Sequence, residues 1–147
     1  MFKKLKRSAE GASVPHEKAT AGMATVVMPA PAKVVLPMSQ HIGAPAAPVV
    51  KKGDTVMVGT LIGQAGGFVS ANIYSSVSGT VSAVAPVAMA NGSSCNAITI
   101  ESDGQQTVDP ACVPPVVTDK DSFLKAVQNC GLVGLGGAGF PAHVKLS

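Results

Sequence analysis

Between Val49 and Val84 the chain alternates short apolar runs with glycine-containing turns. The runs are rich in Val, Ile, Leu and Thr, and several alternate apolar with polar residues, which is typical of β-strands that bury one face. No Asp, Glu, Lys or Arg lies between Asp54 and Glu101. Such a segment either packs tightly on itself or is covered by a partner. The predicted strands are Lys33–Leu36, Thr55–Val58, Leu61–Gly63, Phe68–Tyr74, Gly79–Val84 and Asn96–Glu101.

The pattern changes to a helical one near the end of the chain. Residues Asp119–Gly131 begin with acidic side chains, place apolar residues at helical spacing and end at a glycine, so they predict a helix. Pro141 suits the first turn of a further helix through Lys145. We therefore expect a flexible segment over 1–28, a β domain over 29–104, a proline-containing linker over 105–118, and a helix with a glycine-rich loop over 119–147.

A weak internal repeat suggests how the strands are arranged. Gly53–Val56 and Leu61 are matched, at a constant offset, by Gly92–Cys95 and Ile100. Two similar halves, each a glycine-led turn followed by a strand, favour a small barrel-like sandwich with approximate two-fold symmetry. A closed sheet would also remove the free edges that a segment without charged side chains leaves unprotected.

The charge is concentrated at the start of the chain. Of the formal net charge of +3, Lys3, Lys4, Lys6 and Arg7 supply the excess. A basic terminus contacts anionic lipid or nucleic acid in some proteins, but a short one is more often a solvated tail, and we expect no nucleic acid partner. No apolar run reaches the roughly 18 residues that span a bilayer, and the apolar core of a secretory signal is missing.

Neither the cysteines nor the histidine at position 41 predicts a reactive site. Cys95, Cys112 and Cys130 are far apart and form no CxxC pair, so the spacing predicts neither a zinc site nor an iron–sulfur cluster. We expect three reduced thiols, with Cys95 as a small core residue. His41 stands alone in a loop, which favours a hydrogen-bonded structural role over a catalytic one.

The sequence from Gly134 to Gly139, GLGGAG, satisfies the pattern GxGxxG. Glycines allow backbone N–H groups to approach a phosphate closely, so the pattern is typical of nucleotide or flavin sites. In the dinucleotide-binding fold this pattern follows a strand, whereas here it follows a predicted helix. A phosphate or flavin site and a plain flexible loop both remain open on the pattern alone.

A second motif relates the β domain to carrier proteins. The run from Gly53 to Ile62, followed by Ser78–Val81, resembles the barrel-sandwich hybrid of biotinyl and lipoyl carrier domains. Those domains carry a modified lysine at the tip of the central hairpin. The corresponding stretch here, Gly66–Ser75, contains no lysine. We therefore expect the fold without the carrier chemistry.

Taken together, the motifs resemble the C subunit of the Rnf electron-transport complex, an ion-translocating ferredoxin:NAD oxidoreductase. The resemblance covers nearly everything from Met28 onward, while the family's N-terminal motif is only faint in Gly11–Lys18. It rests on the stretches LPMSQHIGAP, GFVSA, SVSGTV and GLVGLGGAGFPAHVKL, which occupy Leu36–Pro45, Gly67–Ala71, Ser76–Val81 and Gly131–Leu146.

The resemblance implies a mainly β barrel-sandwich hybrid followed by a short helical segment and the start of an α/β domain that binds flavin and NADH. The family's cofactors are FMN, NAD(H) and [4Fe–4S] clusters, and the cluster cysteines are absent from this chain. No catalytic residue and no metal ligand is assigned. The residues implied to line the flavin and nicotinamide pocket are Gly134, Gly136, Gly137, Gly139 and Phe140, with Lys145 near the phosphate or ribose.

The resemblance further implies a peripheral protein at the cytoplasmic face of the cell membrane, with the other Rnf-type subunits, NADH and, indirectly, ferredoxin as partners. The chain resembles an N-terminal piece of the Rnf protein, so we expect it to be structural and inactive by itself. Two alternatives stay open: a related reductase subunit acting on quinone or cobalamin, and a non-catalytic carrier-like binding module.

Overall fold

The computed structural model describes Pro15 and residues 17–147, which form two antiparallel β-sheets and two helices. Much of the predicted flexible segment 1–28 lies outside the described residues. The strands are β1 Lys33–Pro37, β2 Ala47–Pro48, β3 Thr55–Val56, β4 Leu61–Gln64, β5 Ile73–Tyr74, β6 Gly79–Ala88 and β7 Ser94–Ser102. The helices are α1 Lys120–Asn129 and α2 Ala142–Leu146. The described part of the chain is thus mainly β, as predicted.

The larger sheet has the strand order β1-β7-β6-β3 and is built on the β6–β7 hairpin. The hairpin turns at Asn91-Gly92, where Gly92 has a φ of +80° that suits glycine. The amide of Met89 donates to Ser93 O at 2.8 Å and closes the turn. Pro37 ends β1 at the edge of this sheet, where a missing N–H costs no ladder hydrogen bond.

The smaller sheet has the order β2-β4-β5 and faces the larger one across a single apolar core. Alternation places Ile98 and Ile100 of β7 fully inside, whereas Glu101 beside them is exposed. Ile62 of β4 and Ile73 of β5 belong to the same buried cluster. Since both sheets contribute to one core, the domain is closed by side-chain packing between the sheets.

Two predicted strands are shorter in the structure than the pattern predicted. The Phe68–Tyr74 run is a strand only at Ile73–Tyr74. Side chains in its first part bond to the backbone, because Ser70 Oγ donates to Ala44 O at 2.8 Å and Asn72 Oδ1 accepts from the Ala65 N–H at 2.9 Å. These bonds replace a strand ladder by a loop.

The other shortened strand, Thr55–Val58, ends at Val56, and the internal repeat fails with it. Thr60 Oγ1 accepts from the Met57 N–H at 2.9 Å and turns the chain there. As a result β3 and β4 lie in different sheets, whereas the matched residues Gly92–Ile100 enter one continuous strand, β7. The two matched runs therefore do not form equivalent strands in the described residues.

Helix α1 follows the prediction closely. Asp119 accepts from the Ser122 N–H at 2.7 Å, and Ser122 Oγ accepts from the Asp119 N–H at 2.9 Å, which makes a reciprocal capping box. Val127 is the buried residue of the helix, while Phe123 remains 44% exposed. Gly131, with a φ of +65°, ends the helix.

The residues between β7 and α1 follow the barrel surface before they reach the helix. The Val58 N–H donates to Thr107 O and the Asp109 N–H donates to Val58 O, both at 2.9 Å. Thr60 Oγ1 also donates to the Asp109 carboxylate at 2.6 Å. These bonds bring the start of α1 back to the barrel.

Candidate functional site

The glycine-rich loop between the helices is closed at its base. The Gly134 N–H donates to Phe140 O at 2.9 Å, and the Ala142 N–H donates to Leu132 O at 2.8 Å, so Val133 and Pro141 form an antiparallel bridge. The predicted site residues Gly134, Gly136, Gly137, Gly139 and Phe140 all lie within this closed loop. The structure therefore brings them together in space.

The tip of the loop presents unused backbone donors. In the part of the chain that the structure describes, the N–H groups of residues 135–139 donate to no protein acceptor. A Cβ placed on Gly136 or Gly137 would meet no atom within 4 Å. Leu135 is 99% exposed. The fold itself thus gives no steric reason for glycine at positions 136 and 137, while a ligand approaching the backbone would give one.

Lys145 supplies a positive charge beside the loop. Its Nζ lies 5.4 Å from the centre of the Phe140 ring, a cation–π distance. A Cβ on Gly134 would lie 3.9 Å from the same Nζ. The predicted second helix, α2, begins at Ala142 with Pro141 as its N-cap residue and not in its first turn, and it turns the lysine back towards the base of the loop.

The far side of the loop rests on the barrel. The Ile42 N–H donates to Ala138 O at 3.1 Å. Gly139 has a φ of +66°, and a Cβ there would lie 2.7 Å from Gln40 O and 3.1 Å from His41 Cα. Both its backbone conformation and this close approach require glycine. The loop after β1 is thus part of the site's support.

His41 is a buried structural residue, as predicted. It is 7% exposed, and its Nδ1 lies 3.2 Å from Ile42 O. Its Nε2 lies 3.2 Å from the Ala71 N–H. The same Nε2 lies 3.1 Å from Ala71 O, so the ring can bond to an Ala71 backbone group in either tautomer. His41 therefore ties the loop after β1 to the Gly66–Asn72 loop of the smaller sheet.

The Gly66–Asn72 loop contacts the segment that follows the glycine-rich loop. His143 of α2 is 5% exposed, and its Nε2 lies 2.9 Å from Phe68 O. The Phe68 and His143 rings meet edge to face, with centroids 5.8 Å apart. Sequence reasoning did not select Phe68 or His143, although an aromatic residue after Gly66-Gly67, in a loop without a carrier lysine, was a usable signal.

The end of α1 is fixed to the same side of the barrel. Tyr74 OH donates to Asn129 O, and Asn72 Nδ2 donates to the same oxygen at 3.4 Å. These donors satisfy a carbonyl that the helix leaves unpaired. A cleft of about 250 Å³ beside His41, Asn72, Gly131 and Val133 lies at the base of the glycine-rich loop.

A larger cleft in the described residues lies away from the glycine-rich loop. It measures about 610 Å³ and is bordered by Tyr74, Pro115, Ala126 and Cys130. None of the predicted site residues lines it. Residues 135–138 are exposed, so the fit of the loop to a ligand depends on its donors and charge and not on an enclosing cavity.

Three carboxylates have lowered pKa values, and none belongs to the loop. The Ser78 hydroxyl lowers the pKa of Asp103, and the Thr60 hydroxyl lowers that of Asp109. The Ser122 N–H lowers the pKa of Asp119 at the start of α1. These groups stabilise turns and a helix start, so the charge at the loop comes from Lys145.

The residues present fit the phosphate of a flavin or a nicotinamide nucleotide. Free N–H groups, glycines without steric demand and one lysine are the donor set that a phosphate group needs. They do not fit an iron–sulfur cluster, which takes four cysteine ligands. Cys95 was expected in the core but is only half-buried in β7. Cys112 and Cys130 are exposed elsewhere. Within residues 17–147, no group of three metal-ligating side chains forms.

Two facing sheets around one core, with a glycine-rich loop held at one end, define a barrel-sandwich protein. The chain belongs to the RnfC family, because residues 6–105 match that family's barrel sandwich hybrid domain. The family that the motifs predicted is therefore confirmed, and so is the barrel-sandwich fold. The helix and the glycine-rich loop lie outside the matched residues.

Several relatives of the chain are C subunits of ion-translocating complexes. It is 50% identical over 120 residues to the C subunit of the Na(+)-translocating ferredoxin:NAD(+) oxidoreductase complex of Acetobacterium woodii, covering 80% of this chain and 27% of that protein. It is 41% identical over 138 residues to the C subunit of the proton-translocating ferredoxin:NAD(+) oxidoreductase complex of Clostridium ljungdahlii, covering 89% and 29%. The C subunit of the ion-translocating oxidoreductase complex of Rhodobacter capsulatus is 40% identical over 136 residues, covering 90% and 26%.

The chain thus spans less than a third of the length of these relatives. Among the residues that the structure describes, neither helix has the length and apolar character needed to cross a membrane.

Proposed function

We propose that this chain is the N-terminal part of the C subunit of an ion-translocating ferredoxin:NAD oxidoreductase complex. In that complex electrons pass between NADH and ferredoxin through FMN and [4Fe–4S] clusters, the latter held outside this chain. The observation that carries the assignment to this subunit is the match of residues 6–105 to the family's barrel domain. The identity to the Acetobacterium woodii protein supports it. The unused N–H groups at residues 135–139, near Lys145, favour cofactor binding by the loop.

In this proposal the loop binds and orients the cofactor's phosphate and ring. FMN held by these residues would supply the link between the hydride chemistry of NADH and single-electron transfer. Gly134, Gly136 and Gly137 would allow the backbone donors to approach, and the Lys145 ammonium would neutralise a phosphate or contact a ribose. Phe140 would hold the lysine over the loop through its ring. A loop and one lysine make only part of a flavin pocket in this proposal, so the isolated chain should neither retain FMN nor oxidise NADH.

The assignment of the loop is tested by FMN titration of the chain, followed by flavin fluorescence. Weak binding is expected, and Lys145→Ala should weaken it by about threefold to fivefold, corresponding to about 1 kcal/mol for an exposed charge contact. The matched control is Lys120→Ala, an exposed lysine at the start of α1. Equal affinities for the two variants would contradict the assignment. Stoichiometric flavin that survives gel filtration would contradict the incomplete pocket.

We further propose that the barrel docks on other subunits of the complex at the cytoplasmic face of the membrane, as a peripheral element. The motivation is that residues 55–100 include no Asp, Glu, Lys or Arg, although many residues in this range are exposed. A solvated surface normally mixes both charges. An uncharged surface suits contact with another protein better.

Introducing a charge on that surface tests the docking role in the assembled complex. Ala85→Lys places a charge on an exposed position of β6, and Val116→Lys adds the same charge on the exposed segment before α1. Co-purification with tagged partner proteins should fall for the first variant and stay unchanged for the second. If both variants assemble as well as the unaltered protein, the exposed side of β6 is not a docking surface.

A further inference from the structure

The glycine-rich loop would be poorly ordered without outside support. Four of the seven residues from 134 to 140 are glycines, and the tip makes no internal backbone hydrogen bond among the described residues. Glycine loses more conformational freedom on ordering than any other residue. If the ligand had to order the loop, the entropy lost in ordering it would reduce the affinity for the ligand.

Two contacts with the barrel fix this loop beyond its closed base. One is the pair formed by Ala138 O, which accepts from the Ile42 N–H at 3.1 Å, and Gly139, which lies against Gln40 O. The other comes from α2, just after the loop, where His143 Nε2 lies 2.9 Å from Phe68 O. The two contacts therefore lie on successive parts of the same segment.

The barrel side of both contacts is itself rigidly held. Phe68 belongs to the Gly66–Asn72 loop, in which Ser70 is fully buried and bonds to both the Gly66 N–H and Ala44 O. His41 joins that loop to Ile42 through its two ring nitrogens. The acceptor at Phe68 and the donor at Ile42 thus belong to one hydrogen-bonded unit.

We propose that the barrel positions the glycine-rich loop, with His143 as the positioning residue that acts through Phe68 O. The proposal rests on the proposed function, in which the loop binds the phosphate of a flavin or nicotinamide nucleotide. It assigns a role to the loop after β1 and to the Gly66–Asn72 loop. Neither of these loops contributes a side chain to the tip of the glycine-rich loop. Their role is to keep the free N–H groups of residues 135–139 in a single arrangement.

The test compares His143→Leu, which removes the ring nitrogens at similar volume, with His143→Gln, whose amide can still donate to Phe68 O. The readouts on the 147-residue chain are the ¹⁵N order parameters of Gly136 and Gly137 and the exchange rate of the Ile42 amide. In the unaltered chain the order parameters should exceed about 0.8, and His143→Leu should lower them below about 0.6. Ile42 exchange should become about twofold to tenfold faster, the effect of one hydrogen bond.

Rescue by His143→Gln shows that the hydrogen bond to Phe68 O is what matters. Amide exchange in β6 and β7 separates positioning from a general loss of stability, because a general loss would speed exchange there as much as at Ile42. Should His143→Leu fail to fold, Gly139→Ala serves instead, with Gly104→Ala as its control. Both glycines have a positive φ, but a Cβ on Gly104 meets nothing within 4 Å. Loop mobility that is unchanged in His143→Leu and Gly139→Ala, or not restored by glutamine, would overturn the proposal.

No cofactor is present in these measurements, so their result is independent of whether the loop binds FMN. A rigid, barrel-dependent loop together with equal FMN affinity in Lys145→Ala and Lys120→Ala would keep the positioning role and reject the flavin site. A mobile loop together with an FMN affinity that falls in Lys145→Ala would keep the flavin site and reject the positioning role.

Discussion

Replacing Gly131 by alanine should detach the end of α1 from the barrel. Gly131 has a φ of +65°, and a Cβ there would overlap Asn72 O and lie 3.3 Å from Tyr74 Cε2. The left-handed conformation costs about 1–2 kcal/mol, of which about 0.4–1 kcal/mol is recovered from the unfolded chain. The overlap with a backbone oxygen adds about 1–3 kcal/mol. The matched control is Gly92→Ala, because Gly92 has a φ of +80° and nothing within 4 Å.

Tyrosine fluorescence is a suitable assay, because Tyr74 is the only tyrosine and the chain has no tryptophan. Its hydroxyl donates to Asn129 O, so the signal reports the docking of α1. In urea, Gly131→Ala should shift the Tyr74 transition ahead of the loss of sheet circular dichroism. The docking free energy should fall by about 1–3 kcal/mol more than in Gly92→Ala. Equal shifts in the two variants would refute the overlap as the cause.

Three further predictions concern stability. Ile100→Ala should reduce the free energy of unfolding by about 2–5 kcal/mol, because Ile100 is 0% exposed, whereas Val35→Ala at a half-exposed position should cost less than about 1.5 kcal/mol in the same urea titration. Asp119→Ala should speed amide exchange in α1, because it removes the acceptor of the Ser122 N–H, and unchanged exchange would exclude the capping box. The Thr60 hydroxyl lowers the pKa of Asp109, so the carboxylate stabilises the fold above its unfolded-state pKa and that contribution is lost as pH falls through the lowered value. Asp109→Asn should therefore flatten the drop in urea midpoint below about pH 4.

Local signals were sufficient where both partners of an interaction lie close in the sequence. The turn at Asn91-Gly92, the capping box at Asp119 and the glycine after α1 each involve neighbours within a few residues, and both ends of the helix were predicted. The strand β1, Lys33–Pro37, was predicted to within one residue as Lys33–Leu36. These elements form because backbone geometry alone restricts the alternatives.

The sequence could not predict the interactions that depend on distant partners. Ser70 bonds to Ala44, 26 residues away, and His143 to Phe68, 75 residues away. The first of these turns a β-prone run into a loop, and the second gives that loop a partner in α2. The loop glycines were selected from their pattern, but their support by the barrel required the fold.

The two contact regions of residues 119–146 on the barrel should act as one unit. Leu132 connects them, since its N–H donates to Val127 O of α1 at 3.3 Å and its carbonyl accepts from the Ala142 N–H at the start of α2. If docking is cooperative, Gly131→Ala will also speed exchange of the Ile42 amide, although Gly131 contacts Asn72 and not Ile42. The free energy lost at Ile42 should then match that reported by Tyr74 to within about 0.5 kcal/mol. A shift in Tyr74 fluorescence with unchanged exchange at Ile42 would show that the helix and the glycine-rich loop dock independently, and Gly92→Ala should alter neither reporter.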